Sequence, residues 1–473
     1  MNSKIPVIAI VDVGKTNKKL FLFDEQYQVV YEQSARFTET QDEDGDPCEN
    51  IHSLRQSLFE SLREVVRQQE YSIRAINFST YGASIAGIGR DGQPVMPLYN
   101  YLKPYPATLK EKFYRQYGGQ DRIATETASP ALGSLNAGLQ LYRLKEQQPE
   151  LFEQLQCLLH LPQYMSYLLT GKCFTDITSL GCHTALWDFK KNDYHQWVYA
   201  EQLHRQFGAL MPASHTESIT LPDETDPIPV GIGLHDSSAA LIPYIVSFHE
   251  PFILISTGTW CISMNPFNIF PLTTEELHQD CLCYMQYRGK PVKASRIFAG
   301  REHEVEVQRI ANHFHQDPAK YRNMSWDPAI IKQLQPQQGN PKPAAAAPLQ
   351  SPAPLGSGFS NRSLSDFEND ETAYHQLMLD IVVQQKRSTG LVLQDTPVKR
   401  LFVDGGFSKN AIYMNLLAAA FPGLEVFAAT MAQASAMGAA LAIHDSWNRL
   451  PMPGNIIELK YYSCNTPEIS GLL

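Results

Sequence analysis

Two short stretches combine glycine with hydroxyl side chains in a way that suits phosphate binding. The first reads GKTN at residues 14–17, and the second reads STGT at residues 256–259. Each lies between two apolar runs, so we expect a strand, a polar turn and a second strand at both places. Amides and hydroxyls in such turns can donate several hydrogen bonds to polyphosphate oxygens. One such turn is more often structural, and the second, in a corresponding place, favours phosphate binding.

The letters GKT at 14–16 also resemble the end of a Walker A loop, but the neighbouring residues exclude that motif. A Walker A loop carries a glycine five residues before its second glycine, and position 9 is Ala9, inside an apolar run. A helix should follow the threonine, whereas residues 20–23 are apolar and aromatic and predict a strand that ends at Asp24. The sequence therefore predicts a hairpin of two strands here.

Asp236, in the run GLHDSSAAL, is the sharpest single candidate for catalysis. His235 precedes it, and two serines and then small residues follow, which is typical of the start of a helix. A carboxylate there could accept the proton of an attacking hydroxyl group. The alternative is an aspartate that only caps the helix, and from this stretch alone both interpretations stay open.

A third turn, DGGFS at residues 404–408, lies between a predicted strand at 400–403 and a predicted helix at 410–421. Glycines at such a point let a flat ring approach the backbone closely. On its own this signal is weak, because paired glycines are common in turns.

Composition limits the class of protein and of partner. The chain has 473 residues, 43% hydrophobic and 19% charged, as in ordinary globular proteins with at least two domains. A net charge of −10 argues against general nucleic-acid binding, and no apolar run reaches the roughly 20 residues that a membrane helix needs. Eight cysteines without a CxxC pair, and no signal peptide, predict a cytoplasmic protein with reduced thiols.

The apolar pattern of the opening residues returns near residue 250, and this repeat predicts two similarly built α/β domains that face one another. We expect further strands at 28–37, 75–79 and 425–428, and helices at 52–67, 139–155, 162–169 and 432–442. Residues 333–358 are rich in proline, alanine and glutamine, and are expected to form a surface excursion.

With these motifs the chain resembles the FGGY family of carbohydrate kinases. DVGKTN at 12–17 is similar to the family's first phosphate motif, STGT at 256–259 to its second, and DGGFSKN at 404–410 to its adenosine motif. Within the family, the stretches at 235–236 and 256–260 resemble rhamnulokinases, whereas 14–17 and 80–82 resemble L-fuculokinases. The resemblance covers nearly the whole chain except the proline-alanine segment.

The resemblance implies a fold of two ribonuclease-H-like domains of the actin/Hsp70 superfamily flanking a central cleft. Residues 1–246 would form the sugar-binding domain and residues 247–473 the nucleotide-binding domain. It also implies roles for particular residues: Asp236 as catalytic base, Asp12 as the magnesium anchor, Tyr81, Gly82, Ser84, His235 and Asp236 for the sugar, and Gly14, Lys15, Thr16, Asn17, Thr257, Gly258, Thr259, Gly405, Gly406, Ser408 and Asn410 for ATP.

The expected activity is transfer of the γ-phosphate of ATP, with Mg²⁺, to a hydroxyl of a ketose. The sugar would be of the L-rhamnulose or L-fuculose type, or a relative such as xylulose or ribulose. Ser84 departs from the aspartate usual in these relatives, and Gln140 departs from the tryptophan of a signature helix, so the identity of the sugar stays open. The alternatives are a sugar-binding regulator without catalysis, or a non-kinase ATPase of the same superfamily. A homodimer is left open.

Overall fold

The computed structural model describes two compact units over residues 4–15, 18–35, 38–221, 226–334, 356–431, 433–463, 469, 471 and 473. Unit 1 comprises Met1–Ser247, Cys283–Pro291 and Gln433–Ile456, and unit 2 comprises Phe248–Leu282, Val292–Ala432 and Ile457–Leu473. Most of the predicted surface excursion lies outside the described residues, as do Thr16, Asn17 and Ala432. The predicted division into 1–246 and 247–473 stays a prediction.

The strands, in chain order, are β1 (Ile5–Val13), β2 (Lys18–Asp24), β3 (Val29–Ala35), β4 (Glu39–Gln41), β5 (Pro47–Glu49), β6 (Tyr71–Thr80), β7 (Ile85–Ile88), β8 (Cys157–His160), β9 (Phe174–Asp176), β10 (Trp187–Asp188), β11 (Asp193–Tyr194), β12 (Ala209–Met211), β13 (Thr216–Ile219), β14 (Ile228–Gly231), β15 (Leu234–His235), β16 (Phe252–Thr257), β17 (Cys261–Asn265), β18 (Cys281–Met285), β19 (Pro291–Ile297), β20 (Arg400–Gly405), β21 (Glu425–Thr430) and β22 (Glu458–Tyr462).

The α-helices are α1 (Ile51–Gln68), α2 (Ala107–Gln116), α3 (Gln120–Glu126), α4 (Ala137–Gln147), α5 (Pro149–Phe152), α6 (Leu161–Thr170), α7 (Ile177–Leu180), α8 (Gln196–Ala200), α9 (Asp236–Ser247), α10 (Thr274–His278), α11 (Ala299–Phe314), α12 (Pro328–Gln333), α13 (Asp370–Leu393), α14 (Ala411–Ala420), α15 (Ala434–Ala442) and α16 (His444–Trp447). None of the helices described here has the length and apolar character that crossing a membrane requires.

The central sheet of unit 1 has the strand order β13-β14-β6-β1-β2-β3, and β15 also pairs with β6. β1, β2 and β3 form an antiparallel meander, whereas β1, β6 and β14 run parallel to one another. The almost continuous apolar run of β1 is typical of a strand that is buried on both faces. The predicted hairpin at residues 11–24 is confirmed, which agrees with the exclusion of a Walker A loop.

The sheet of unit 2 repeats this plan in the order β18-β19-β17-β16-β20-β21-β22. β16 pairs antiparallel with β17, and β17 with β19, whereas β16, β20 and β21 are parallel. In both units a further antiparallel strand, β13 or β22, closes the parallel side. The predicted repetition of one α/β architecture is therefore confirmed.

The helix predicted at 52–67 is confirmed as α1. Asn50 caps it by accepting hydrogen bonds from the amides of His52 and Ser53, and its apolar stripe, which includes Leu54 and Leu58, packs into the core under the sheet. The helix predicted at 139–155 is wrong in its length. It breaks at Gln148, where φ is −135°, because Pro149 disfavours helical geometry in the residue before it.

Several residues predicted for the functional site lie at the carboxyl ends of the parallel strands in each unit. In unit 1, Asp12 of β1 pairs with Ser79 of β6, and His235 of β15 pairs with Thr80. In unit 2, Thr257 of β16 pairs with Gly405 of β20. Because loops after parallel strands meet at one sheet edge, this arrangement is where a ligand site is expected in an α/β unit.

Within unit 1, helices α9 and α15 pack closely, and Gly438 is the point of contact. A Cβ atom at Gly438 would lie 1.8 Å from the carbonyl oxygen of Ala239. A side chain here would therefore force apart the helix that begins at Asp236 and its neighbour.

Gly438→Ala is expected to lower the free energy of unfolding by about 1–3 kcal/mol, because the backbone must move to admit the methyl group. Thermal and urea unfolding would measure the loss. Gly454→Ala is the matched control, since a Cβ there meets no atom within 4 Å. Equal stability of the two variants would contradict the close approach.

Candidate active site

Asp236 is the first residue of α9, and its carboxylate is held by its immediate neighbours. Oδ1 accepts hydrogen bonds from the amide of Ser237 at 2.6 Å and from its hydroxyl at 3.2 Å. It also lies 3.2 Å from Nε2 of His235, and a third of the Asp236 side chain is exposed. A capping aspartate would instead accept from amides two or three residues on. The contacts described for Asp236 do not have that pattern, so a cap is the less suitable interpretation.

His235 is buried and fixed on several sides. Its backbone amide donates to Oγ1 of Thr178 at 3.0 Å, its Nε2 lies 3.0 Å from Sγ of Cys182, and its ring stacks on Tyr284 with centroids 5.6 Å apart. Burial lowers the pKa of His235 to about 3, so the ring is neutral at physiological pH. It can orient a hydroxyl or the neighbouring carboxylate, but it adds no positive charge.

Asp176 supports His235 through Thr178. One oxygen of its carboxylate caps α7, accepting from the amides of Thr178 at 2.8 Å and Ser179 at 3.1 Å, and it also accepts the Thr178 hydroxyl proton. The Thr178 hydroxyl oxygen in turn accepts the His235 amide. The sequence signal is the pattern Asp-x-Thr-Ser at the start of the short helix α7, and Thr178 connects it to His235, the residue before Asp236.

The two candidate carboxylates of unit 1 share one electrostatic setting. Burial raises the pKa of Asp236 to about 6, and hydrogen bonds from Ser237 oppose the rise. Burial also raises the pKa of Asp12 to about 6; a 2.9 Å hydrogen bond from Ser435 opposes that rise, and the negative charge of Asp236 adds to it. Both groups are therefore ionised at neutral pH, although their surroundings disfavour the charge.

The turn after β6 presses against His235. A Cβ at Gly82 would lie 2.8 Å from Sγ of Cys182 and 3.1 Å from Cδ2 of His235, so only glycine fits without movement. Ser84 is buried and its hydroxyl donates to the carbonyl of Tyr99 at 3.4 Å. Gln140 of α4 donates to the carbonyl of Ala83 at 2.8 Å. The predicted sugar residues Tyr81, Gly82, Ser84 and His235 thus belong to one neighbourhood of unit 1.

Lys15 lies in that same neighbourhood. Its Nζ is 3.1 Å from Oε1 of Glu49, and it lies 5.6 Å and 5.7 Å from the ring centroids of Tyr81 and Tyr101. Gly14 follows β1 and is half-buried, whereas Thr16 and Asn17 lie outside the described residues. Lys15 is predicted as a ligand of ATP, whereas its contacts include Tyr81, which is predicted for the sugar, together with Glu49 and Tyr101, for which there is no prediction.

In unit 2 the second phosphate turn and the adenosine turn are bound to each other. The Thr257 hydroxyl donates to the carbonyl of Asp404 at 2.6 Å and accepts from the amide of Phe407 at 3.0 Å, and the Thr257 carbonyl accepts from the amide of Gly406 at 2.9 Å. Gly405 has φ of +90°, and a Cβ on it would lie 1.9 Å from the Thr257 carbonyl oxygen. Glycine is required there by both conformation and space.

At two glycines of unit 2 the backbone is accessible, because there is space where a side chain would stand. A Cβ at Gly406 would meet nothing within 4 Å, and one at Gly258 would meet only the carbonyl oxygen of Trp260 at 3.9 Å. On its other side Gly258 is close to Gly300, whose added Cβ would lie 1.7 Å from the Gly258 carbonyl oxygen. Thr259 is exposed, and its carbonyl accepts from the amide of Arg301 at 3.1 Å. These turns fit a ligand that lies close to the backbone, as a nucleotide does.

Ser408 and Asn410 have structural contacts of their own. The Ser408 hydroxyl donates to the carbonyl of Gly405 at 2.8 Å. Asn410 caps α14 by accepting from the amide of Tyr413 at 3.0 Å, and its Nδ2 donates to the hydroxyl of Tyr374 at 2.7 Å. Their predicted role in ATP binding stays a prediction, because these bonds also explain the two side chains.

Sequence reasoning missed several partners that lie far along the chain or outside any motif. These are Glu49 and Tyr101 beside Lys15, Ser435 on Asp12, Tyr284 on the ring of His235, and Tyr374 on Asn410. Local periodicity carries no signal for contacts of this kind, although Ser435 lies within the helix predicted at 432–442.

Comparisons with known proteins agree with this arrangement. Residues 7–243 match the family model "FGGY family of carbohydrate kinases, N-terminal domain" and residues 249–450 match "Carbohydrate kinase FGGY, C-terminal domain". L-fuculokinase of Escherichia coli K12 is 26% identical over 277 residues, which cover 55% of this chain and 57% of that protein. The chain therefore matches little more than half the length of that relative.

Two further comparisons extend along most of the chain. Rhamnulokinase of Mannheimia succiniciproducens is 23% identical over 458 residues, which cover 91% of this chain and 88% of that protein. The crystal structure of a carbohydrate kinase from Novosphingobium aromaticivorans has a TM-score of 0.80 at 24% identity, covering 98% of this chain and 96% of that one. This likeness shows a shared fold, the ribonuclease-H-like fold that the resemblance implied.

Asp12→Asn is expected to stabilise the fold, and the gain should be larger at about pH 7.5 than at about pH 5. The folded-state pKa of Asp12 is raised from 3.8 to about 6, so ionisation costs stability as the pH rises between these values. The asparagine avoids that cost. Urea unfolding of both proteins at the two pH values, without added metal, would measure the difference. A difference that does not change with pH would contradict the buried charge of Asp12.

Proposed function

The chain belongs to the FGGY family of carbohydrate kinases, and we propose from this premise that it transfers the γ-phosphate of ATP to a hydroxyl of a ketose. The substrate would be of the L-rhamnulose or L-fuculose type, or a related ketose such as xylulose or ribulose. The observation that carries the proposal is the carboxylate of Asp236, which begins α9 beside the neutral ring of His235. We also propose a cytoplasmic location and the division into domains at residues 246–247.

Asp236 is the general base in this proposal. A group with a pKa of about 6 is ionised at neutral pH and is still basic enough to accept a proton as the new bond forms. The exposed third of its side chain leaves room for a substrate hydroxyl to approach. Ser237 holds Oδ1 and leaves the other oxygen to receive the proton.

The sugar is proposed to bind beside His235 and the turn after β6. The neutral His235 ring lines the proposed sugar site with its nitrogens held beside Cys182, Ser238 and Asp236. The network through Thr178 and Asp176 fixes its backbone. Tyr81 and Ser84 add hydroxyl groups, and Gly82 lets this turn approach the histidine. Many uncharged hydrogen-bonding groups around one carboxylate suit a polyhydroxylated substrate.

ATP is proposed to bind through the turns of both units. The bare backbone at Gly258 and Gly406 and the hydroxyl of Thr259 support phosphate and nucleoside binding in unit 2, with Thr257, Gly405, Ser408 and Asn410 shaping those turns. In unit 1, Gly14, Thr16 and Asn17 complete the proposed set.

Mg²⁺ is proposed to be anchored by Asp12, directly or through water. The residues present fit such a cation, since Asp12 and Asp236 are two ionised carboxylates whose negative charges repel each other. When bound, the cation would neutralise charge on phosphate oxygens. Asp12 itself is oriented by the hydroxyl of Ser435.

Adding a suitable ketose is expected to raise ATP consumption well above the basal rate of hydrolysis, because the sugar hydroxyl replaces water as the acceptor. A coupled assay across ketoses, aldoses and polyols would measure ADP release, with phosphorylated sugar identified by mass spectrometry. An unchanged rate across the whole panel would overturn the kinase proposal and favour a sugar-binding protein without catalysis.

Asp236→Asn is expected to lower turnover at least ~10²-fold, because a general base contributes about 10²- to 10⁴-fold and asparagine cannot take the proton. ATP and sugar should bind with near-native affinity. In the wild type the rate should fall as the pH drops through about 6, where Asp236 becomes protonated. Asp91→Asn, in an exposed turn of the same unit, is the control. Turnover within a few-fold of wild type in a folded Asp236→Asn protein would contradict its role as base.

A further inference from the structure

Lys15, Glu49 and Lys18 form a compact group of charges beside the proposed sugar residues. Glu49 Oε2 lies 2.7 Å from Nζ of Lys18, and its Oε1 lies 3.1 Å from Nζ of Lys15. The side chains of Glu49 and Lys18 are only 5% and 7% exposed, whereas that of Lys15 is 22% exposed. Lys18 and Glu49 therefore form a buried ion pair, and Lys15 is the member of the group that solvent and ligands can reach.

One lysine would be enough to balance the charge of Glu49. Burial acts to raise the pKa of Glu49, but its ion pairs with Lys18 and Lys15 outweigh this and leave the pKa below its usual value. The carboxylate is thus ionised, and Lys15 also lies near the exposed Glu39, whose Oε1 is 4.0 Å from its Nζ, so the charges of these four side chains balance. Since an ammonium has three donors, Lys15 keeps donors available after it binds Glu49.

One of the two phenols beside Lys15, that of Tyr81, points to a polar ligand. Tyr81 is 7% exposed, and its hydroxyl oxygen has no hydrogen-bond partner among the residues that the structure describes. Burial raises the pKa of this phenol, and Glu49 and Ser84 also affect it, so both side chains are near although neither reaches hydrogen-bonding geometry. A buried hydroxyl without a partner costs stability unless a ligand or water completes it.

Tyr101 connects this group of charges with the proposed base. Burial raises the pKa of its phenol, and the negative charges of Asp236 and Glu49 raise it further. Tyr101 therefore lies within electrostatic reach of both carboxylates, and its ring is 5.7 Å from Nζ of Lys15. Gly82, which follows Tyr81, packs against the His235 ring beside Asp236. Lys15 lies 5.6 Å from the Tyr81 ring, so a molecule that presents one hydroxyl to Asp236 could extend along this turn towards Lys15.

We propose that Lys15 binds the sugar and not the phosphates of ATP. Its ammonium donates to hydroxyl oxygens at the end of the ketose remote from the transferred phosphate, and the Tyr81 hydroxyl completes the same subsite. Glu49 is a positioning residue that holds Lys15 beside the two phenols. This inference rests on the proposed kinase function. The relatives usually carry an aspartate at the position of Ser84, and in this chain Lys15, from a different part of the fold, would supply a charged contact to the sugar.

The position of Lys15 argues against the phosphate alternative. Its ammonium is already bound by a carboxylate, so an anionic phosphate on the same ammonium would be repelled by the buried charge of Glu49. A neutral sugar hydroxyl can be bound without breaking that pair. Lys15 and Glu49 together thus suit an uncharged polyhydroxylated ligand.

The test is to determine KM separately for the sugar and for ATP in the full-length protein, using the best ketose of the panel. Lys15→Met is expected to raise the sugar KM roughly ten- to a hundredfold, as expected for the loss of a charged hydrogen bond. The ATP KM should stay within about threefold of wild type on the same argument. Lys145→Met is the matched control, because Lys145 also pairs with a glutamate (Glu201, 2.7 Å) near an aromatic ring (Phe152, 5.7 Å) in unit 1.

Two more variants separate binding from folding. Tyr81→Phe removes a hydroxyl that has no hydrogen-bond partner among the described residues, so the free energy of unfolding should not fall, while the sugar KM rises. Glu49→Gln should raise the sugar KM as Lys15→Met does, and Glu49→Asp should restore part of the loss. A rise in ATP KM with an unchanged sugar KM in Lys15→Met and Tyr81→Phe would overturn the inference and leave the kinase proposal standing. No turnover of any sugar by the wild type would overturn both.

Discussion

Parallel pairing of the central strands fixes where chemistry can occur in each unit. β1 with β6, and β16 with β20, run in the same direction, so that the residues following them emerge at one edge of the sheet. In unit 1, Asp12 lies near the end of β1 and Tyr81 directly follows β6. In unit 2, Thr257 and Gly405 are the last residues of β16 and β20. In unit 2 the antiparallel hairpin of β16 and β17 adds a turn with the hydroxyl of Thr259 and the bare backbone of Gly258. One architecture, used twice, thus provides a carboxylate-rich edge in unit 1 and a glycine-rich edge in unit 2.

The two carboxylates at this edge of the sheet in unit 1 lower the stability of the folded state. Asp12 and Asp236 are ionised at neutral pH in surroundings that disfavour their charge, and they oppose each other. Hydrogen bonds from Ser435 and Ser237 relieve only part of this. A protein that kept these groups only for folding would do better with neutral residues, so their presence supports the proposed reaction, in which both groups have a role. Unit 2 has the opposite character, because its turns bind one another through neutral hydrogen bonds and close glycine contacts.

Much of the fold could be predicted from the sequence, because strands and helices are encoded in apolar patterns a few residues long. The hairpin at residues 11–24, α1, and the repeat beginning near residue 250 all follow from such local patterns. The break at Gln148 had a local signal as well, in Pro149, which the apolar periodicity on both sides obscured. The candidate site was predictable as motifs but not as contacts. Lys15 lies in a turn, where no periodicity fixes the direction of a side chain, and its partner Glu49 belongs to no motif.

The composition of unit 1 from three segments has a consequence for how the protein is made. Asp12 is bonded to Ser435, Asn77 donates to the carbonyl of Ala439, and Tyr27 is bonded to His444, partners separated by 423, 362 and 417 residues. On the ribosome, the first 247 residues emerge long before the segment that completes their core. The apolar surface that α15 covers stays exposed until residues 434–442 have been synthesised, and in this interval a nascent chain is most open to chaperones and to aggregation.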